Sequence, residues 1–143
     1  MKNEPIEILR QRRVILDPVL HRYGFAYVAG SSGRSSGGPF AGGAYANGNR
    51  KLEVHYRYSL GLVIYHFGEK SIDHESYMHT LLGTNGGNMY PCFSEDPLEQ
   101  FKGLAYDLES FASAFLSENI EEFSKCVSAA EEWKKIPGFA RLP

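Results

Sequence analysis

Residues 51–67, KLEVHYRYSLGLVIYHF, decide the fold. In the first half Leu52, Val54, Tyr56 and Tyr58 alternate with Lys51, Glu53, His55 and Arg57. That is a period of two, the mark of a strand with one apolar and one polar face. A tight turn at Ser59-Leu60 predicts a hairpin, with Tyr56 opposite Val63, Val54 opposite Tyr65 and Leu52 opposite Phe67 on the apolar side. On the polar side it sets Glu53 opposite His66, His55 opposite Ile64 and Arg57 opposite Leu62. A longer bend through Gly61 is the alternative.

Upstream, Asn47-Gly48-Asn49 is a turn cluster. A three-residue loop there places Ala44, Gly42 and Phe40 beside Leu52, Val54 and Tyr56. The small residues at 41–44 leave room for a helix or a ligand to lie close. Phe25 to Ala29 reads as a further strand, and GSSGRSSGG at 30–38 as a mobile loop, since glycine and serine supply little packing area.

The flanks are helical. Ile8, Leu9, Ile15, Leu16, Val19, Leu20 and Tyr23 form a 3.6-residue stripe. Pro18 interrupts it, so a kink or a restart capped by Asp17 is expected, with Gly24 as terminator. After Gly68, Ser71 or Asp73 caps a short helix ending at Gly83. Asp96-Pro97-Leu98-Glu99 opens a strong helix with one apolar stripe from Leu98 to Phe115, and Asn119 with Glu122 opens the last, ended by Pro137-Gly138. Between them lies the loop 84–95, which carries Met89, Tyr90 and Phe93. The expected fold is therefore one α+β domain over 1–143: an antiparallel sheet of about four strands with helices packed on one face, order α-β-β-β-β-α-α-α.

Composition limits the function. Fifteen Lys+Arg against seventeen Asp+Glu leave a net charge of −2, too balanced for an electrostatic grip on nucleic acid or an anionic membrane. The greasiest run, residues 60–65, is far short of the ~20 residues that cross a bilayer. No export signal follows the amino terminus, and Cys92 and Cys126 show no framework spacing, so a cytoplasmic location is expected.

The candidate binding residues are Lys51, Glu53, His55 and Arg57 on the polar face, with His66 opposite and Tyr90 from the loop. Arginine can hold a carboxylate or phosphate in a bidentate fork, and histidine can titrate near neutral pH. An ordinary wet sheet face explains the same alternation. Neither metal nor cofactor is expected. His74 and His79 stand five apart, one more than a shared helical metal site needs; His74 reads as a helix cap and His79 as a surface residue. Cys92 has no histidine fixed beside it, and the 30–38 segment lacks a phosphate-loop motif. Arg10, Arg12 and Arg13 read as the solvated side of the first helix.

LEVHYRYSLGLV at 52–63, Tyr65 to Gly68, His74-Glu75 with Tyr77-Met78, and Tyr90-Pro91 with Phe93-Ser94 and Asp96-Pro97-Leu98 together resemble a group of small uncharacterised bacterial proteins. The likeness runs from about residue 40 to 116 and implies no activity. The α+β layout is also similar, in architecture only, to immunity proteins that neutralise bacterial toxins. With no clustered nucleophile, base or metal set, the residues favour a non-enzymatic protein-binding domain of immunity-like or accessory role over an enzyme. The alternative is a small enzyme or ligand-binding domain with a pocket between the sheet and loop 84–95, using His55, Arg57, His66 and Tyr90. A homo-oligomer through an uncovered sheet face or edge is the third expectation.

Overall fold

A computed structural model describes residues 4–83, 86–92 and 94–135. Phe93 and the Pro137-Gly138 stop lie outside the described residues. Five strands run in chain order as an antiparallel meander: β1 (Ala26–Ser35), β2 (Gly38–Asn47), β3 (Arg50–Tyr56), β4 (Leu60–Phe67) and β5 (Lys70–Asp73). This is one strand more than expected. Lys70–Asp73 was hidden because Ser71 and Asp73 also look like caps; Asp73 in fact ends β5 and caps the next helix. The glycine-serine segment is not a loop either. Past an irregularity between Ala29 and Ser32 it is extended to Ser35 and pairs with β2 around a turn at Ser36-Gly37. Backbone ladder bonds hold it where side chains offer little.

Turn length sets each register. Between β3 and β4 the turn takes residues 57–59, with Arg57 N–H donating to the Ser59 carbonyl (3.2 Å). Leu52 therefore opposes Tyr65, Val54 opposes Val63 and Tyr56 opposes Leu60. The expected pairing is off by two residues at Leu52 and Val54 and by three at Tyr56, past an irregularity in the ladder, and Leu52, Val54, Tyr56, Val63, Tyr65 and Phe67 remain on the buried face. Between β2 and β3 the turn is only Gly48-Asn49, with Gly48 in the left-handed region (φ +60°). There the slip from expectation is one residue, and it exchanges the faces. Tyr45 opposes Leu52 and is fully buried, while Gly42 and Ala44 lie beside His55 and Glu53.

Helices cover one face. α1 (Pro5–Arg12) packs on β2 and β3, α3 (His74–Leu82) and α4 (Pro97–Phe111) on β4, and α6 (Ile120–Lys135) on β5. Pro18 acts through the turn before it. A 3-10 turn at Arg13–Leu16 separates α1 from α2 (Asp17–Arg22), because Pro18 cannot donate one turn back. Asp17 is itself helical and does not cap; its carboxylate takes Arg13 Nη1 (3.1 Å) and the Tyr45 hydroxyl (2.6 Å). The long stripe is likewise split at Ala112, leaving α5 (Ser113–Leu116) as a separate turn. Buried Arg50 donates to the Phe115 and Leu116 carbonyls (2.9 and 2.7 Å), closing that helix end from the sheet. Phe25, Tyr65, Tyr77, Phe115 and Phe123 form the aromatic centre of the core. Among the described residues no helix is long and apolar enough to cross a membrane.

Candidate functional site

Among the described residues no helix lies on the opposite face of the sheet. Alternation along β3 sends Lys51, Glu53 and His55 outward, and the turn carries Arg57 to the end of the same face. β4 adds Leu62, Ile64 and His66, β1 adds Val28, and β2 adds Phe40 with the small residues Gly42, Ala44 and Ala46. Between β1 and β3 these small residues lower the surface into an open groove of about 490 Å³. Its floor is apolar, Val28 and Phe40 bound it, and Lys51, Glu53 and His55 form its polar wall.

Glu53 organises that wall. His55 Nε2 lies 2.5 Å from one carboxylate oxygen and His66 Nε2 2.8 Å from the other, with Lys51 Nζ at 4.0 Å. A carboxylate only accepts, so both imidazoles donate from Nε2 and leave Nδ1 as the outward nitrogen. Partial burial pushes the Glu53 carboxyl up, but the hydrogen bonds and charges of the two histidines outweigh it and hold it below the usual carboxylate range. Glu53 is thus ionised and engaged by His55, His66 and, more distantly, Lys51, whose side chain is 48% exposed.

Arg57 stands apart from this cluster. Its guanidinium donates to the Gly38 carbonyl (2.7 Å) and the Ser35 hydroxyl (2.9 Å) and lies over the Phe40 ring. Those partners are neutral, so its charge is positioned without being neutralised. Tyr58, the most exposed large hydrophobic residue, ties the same two turns together through the Gly37 carbonyl (2.9 Å).

No protein-family model, curated protein or solved structure matches the chain. Side-chain geometry therefore carries the functional reading.

Tyr90 does not join the polar face. It is buried on the helical side, where its hydroxyl donates to the Leu60 and Gly61 carbonyls (both 2.6 Å). The loop it belongs to packs against α4, with Gly103 admitting the Met89 backbone; a Cβ there would meet the Met89 carbonyl oxygen at 3.0 Å. Hence His55, His66 and Tyr90 cannot line one pocket: the sheet stands between them.

His74 is neither exposed nor a cap. It is 2% exposed and lies in a chain that sequence reading missed. The Tyr65 hydroxyl donates to His74 Nδ1 (2.7 Å), and His74 Nε2 donates to Asp107 (2.9 Å). Asp107, fully buried, also accepts the Met89 and Tyr90 N–H groups (2.6 and 2.8 Å). A hydroxyl–imidazole–carboxylate chain resembles catalytic machinery in composition. Here all three members are sealed from solvent, and its effect is to pin the 89–90 backbone to α4. Asp107 could have been noticed in the sequence, since it interrupts the apolar stripe between Leu104, Leu108 and Phe111. His79 stacks on Trp133, ring centres 4.2 Å apart. Cys92 is exposed and Cys126 half-buried, both as free thiols. Among the described residues no group of three His, Cys, Asp or Glu side chains is arranged to hold a metal ion.

Proposed function

We propose that this chain is a non-enzymatic protein-binding domain, of immunity-like or accessory role, that holds its partner on the uncovered sheet face. One observation supports this most: among the described residues helices roof the sheet on one side only, and the bare side carries exposed Val28 (57%) at an apolar groove and exposed Leu62 (54%) on β4. Apolar side chains clustered beside a hollow are the kind of surface that marks interaction sites. Charge defines the complement. Lys51, half-exposed at the 4.0 Å limit of its pairing with Glu53, and Arg57, without an ion-pair partner among the described residues, give the face outward positive charge, so the partner presents an acidic side chain beside an apolar one that enters the groove.

The test is capture of a partner from extract of the source cell, with two variants of the bait. Lys51→Glu reverses an exposed positive charge and Leu62→Asp places a carboxylate on the bare face. Both are exposed and leave the core intact. Loss of the captured protein in both, with retention by Glu109→Lys on α4, is the expected result. Equal capture by all four baits would remove the face from consideration.

The groove volume favours a second reading. About 490 Å³ falls within the range of small-molecule pockets, roughly 300–1,000 Å³. A ligand with a flat apolar body and an acid group would use the same floor and Lys51. A small molecule that raises the melting temperature of the pure protein, and fails to do so with Ala44→Phe, would select this reading.

A further inference from the structure

The three arginines of the first helical segment have different fates. Arg10 pairs with Glu7, and Arg13 pairs with Asp17 (3.1 Å) and lies over the Tyr27 ring. Arg12 is half-buried yet has no hydrogen-bond or ion-pair partner among the described residues. It opens on a cleft of about 520 Å³ at the end of the sheet, where α1 meets the β3–β4 turn and the segment leading into α4. The cleft is separate from the groove on the bare face.

Its other polar walls are Gln11, Tyr56, Arg57, Tyr58 and Glu95. Arg57 brings a second guanidinium with no ion-pair partner among the described residues, already fixed by the Gly38 carbonyl and Ser35 hydroxyl. Tyr56 lines the same cleft, and no hydrogen bond commits its hydroxyl to another described residue. Two guanidinium groups and one carboxylate, Glu95, line the cleft, which leaves it a net positive charge, and Tyr56 adds a hydroxyl donor. A bound anion would answer that charge and accept from the hydroxyl.

We infer that this cleft binds a small molecule through an oxyanion, carboxylate or phosphate, held between Arg12 and Arg57 with a hydrogen bond from Tyr56. Guanidinium forks match both oxyanions in geometry. Glu95, on the same wall, would repel a second acid group and accept a hydrogen bond from a hydroxyl or amine elsewhere on the ligand.

The experiment is calorimetric titration of the whole chain with inorganic phosphate and, separately, with succinate, against sodium chloride at equal ionic strength. The expected result is saturable one-to-one binding of at least one probe, and which one binds identifies the oxyanion. Arg12→Gln should weaken it about tenfold or more, consistent with loss of a charged hydrogen bond. Arg22→Gln, a surface change on α2, should leave it unaltered. Tyr56→Phe removes a single oxygen and should weaken it several-fold, which keeps the test open if Arg12→Gln misfolds. Saturation by neither probe, or affinity unchanged in both Arg12→Gln and Tyr56→Phe, overturns the inference.

Discussion

Asp107→Ala should be the most damaging single polar substitution in the molecule. Asp107 has no solvent exposure and accepts three hydrogen bonds, from the Met89 and Tyr90 amides and from His74 Nε2. Truncation strands all three donors in the interior. Each stranded donor costs about 1–3 kcal/mol, more where the lost acceptor was charged. The contributions overlap at one site, so a loss of roughly 4–6 kcal/mol is expected. Domain stabilities are about 5–15 kcal/mol, which leaves the variant close to unfolding. Urea denaturation followed by fluorescence reads this directly, because Trp133 is the single tryptophan and stacks on His79 of α3. Tyr65→Phe provides the scale: it deletes only the hydroxyl that donates to His74 Nδ1 and should cost about 1 kcal/mol. A loss under about 1 kcal/mol for Asp107→Ala, or equal losses for the two variants, would refute the view that this carboxylate pins the 89–90 backbone.

Other expectations follow from the same geometry. Burial raises the hydroxyl pKa of Tyr45, Tyr65, Tyr77 and Tyr90, so the folded state resists their ionisation. Their contribution is complete below the unfolded tyrosine value of about 10 and declines as pH rises above it, by up to about 1.4 kcal/mol per group per pH unit. Steep loss of the urea midpoint above about pH 10 checks this. Glu53 has the opposite sign: its folded pKa is lowered, so its contribution is present above the unfolded carboxylate value and disappears as pH falls through the folded one. The stability gap between wild type and Glu53→Gln should be small, below about 1 kcal/mol for so open a pair, and should close in acid. Arg50→Met strips the Phe115 and Leu116 carbonyls of their donor and should cost about 2–4 kcal/mol by urea melt, more than any exposed arginine.

How legible these features were depended on the range of the interaction behind each. The alternation of Leu52, Val54 and Tyr56 with Lys51, Glu53 and His55 is local, and it placed the polar side chains correctly. The caps at Asp73, Asp96 and Asn119 are local too. Registers depend on turn length, and the Arg57 N–H to Ser59 bond has no distinctive residue signature. The glycine-serine half of β1 owes its extension to β2 rather than to its own side chains. His74 meets Asp107 across 33 positions, and Tyr90 meets Leu60 across 30, so no spacing rule could assign either to the core. Nor does a run of three nearby arginines show which one lacks a carboxylate.

Side-chain footprinting of the captured complex tests the docking face most directly. Radical labelling of Val28, His55 and Leu62 on the bare side should fall in the complex, while Val14, Leu81 and Ile120, exposed elsewhere, keep their free-chain labelling. Protection of Val14, Leu81 or Ile120 with Val28 and Leu62 still fully labelled would contradict the account.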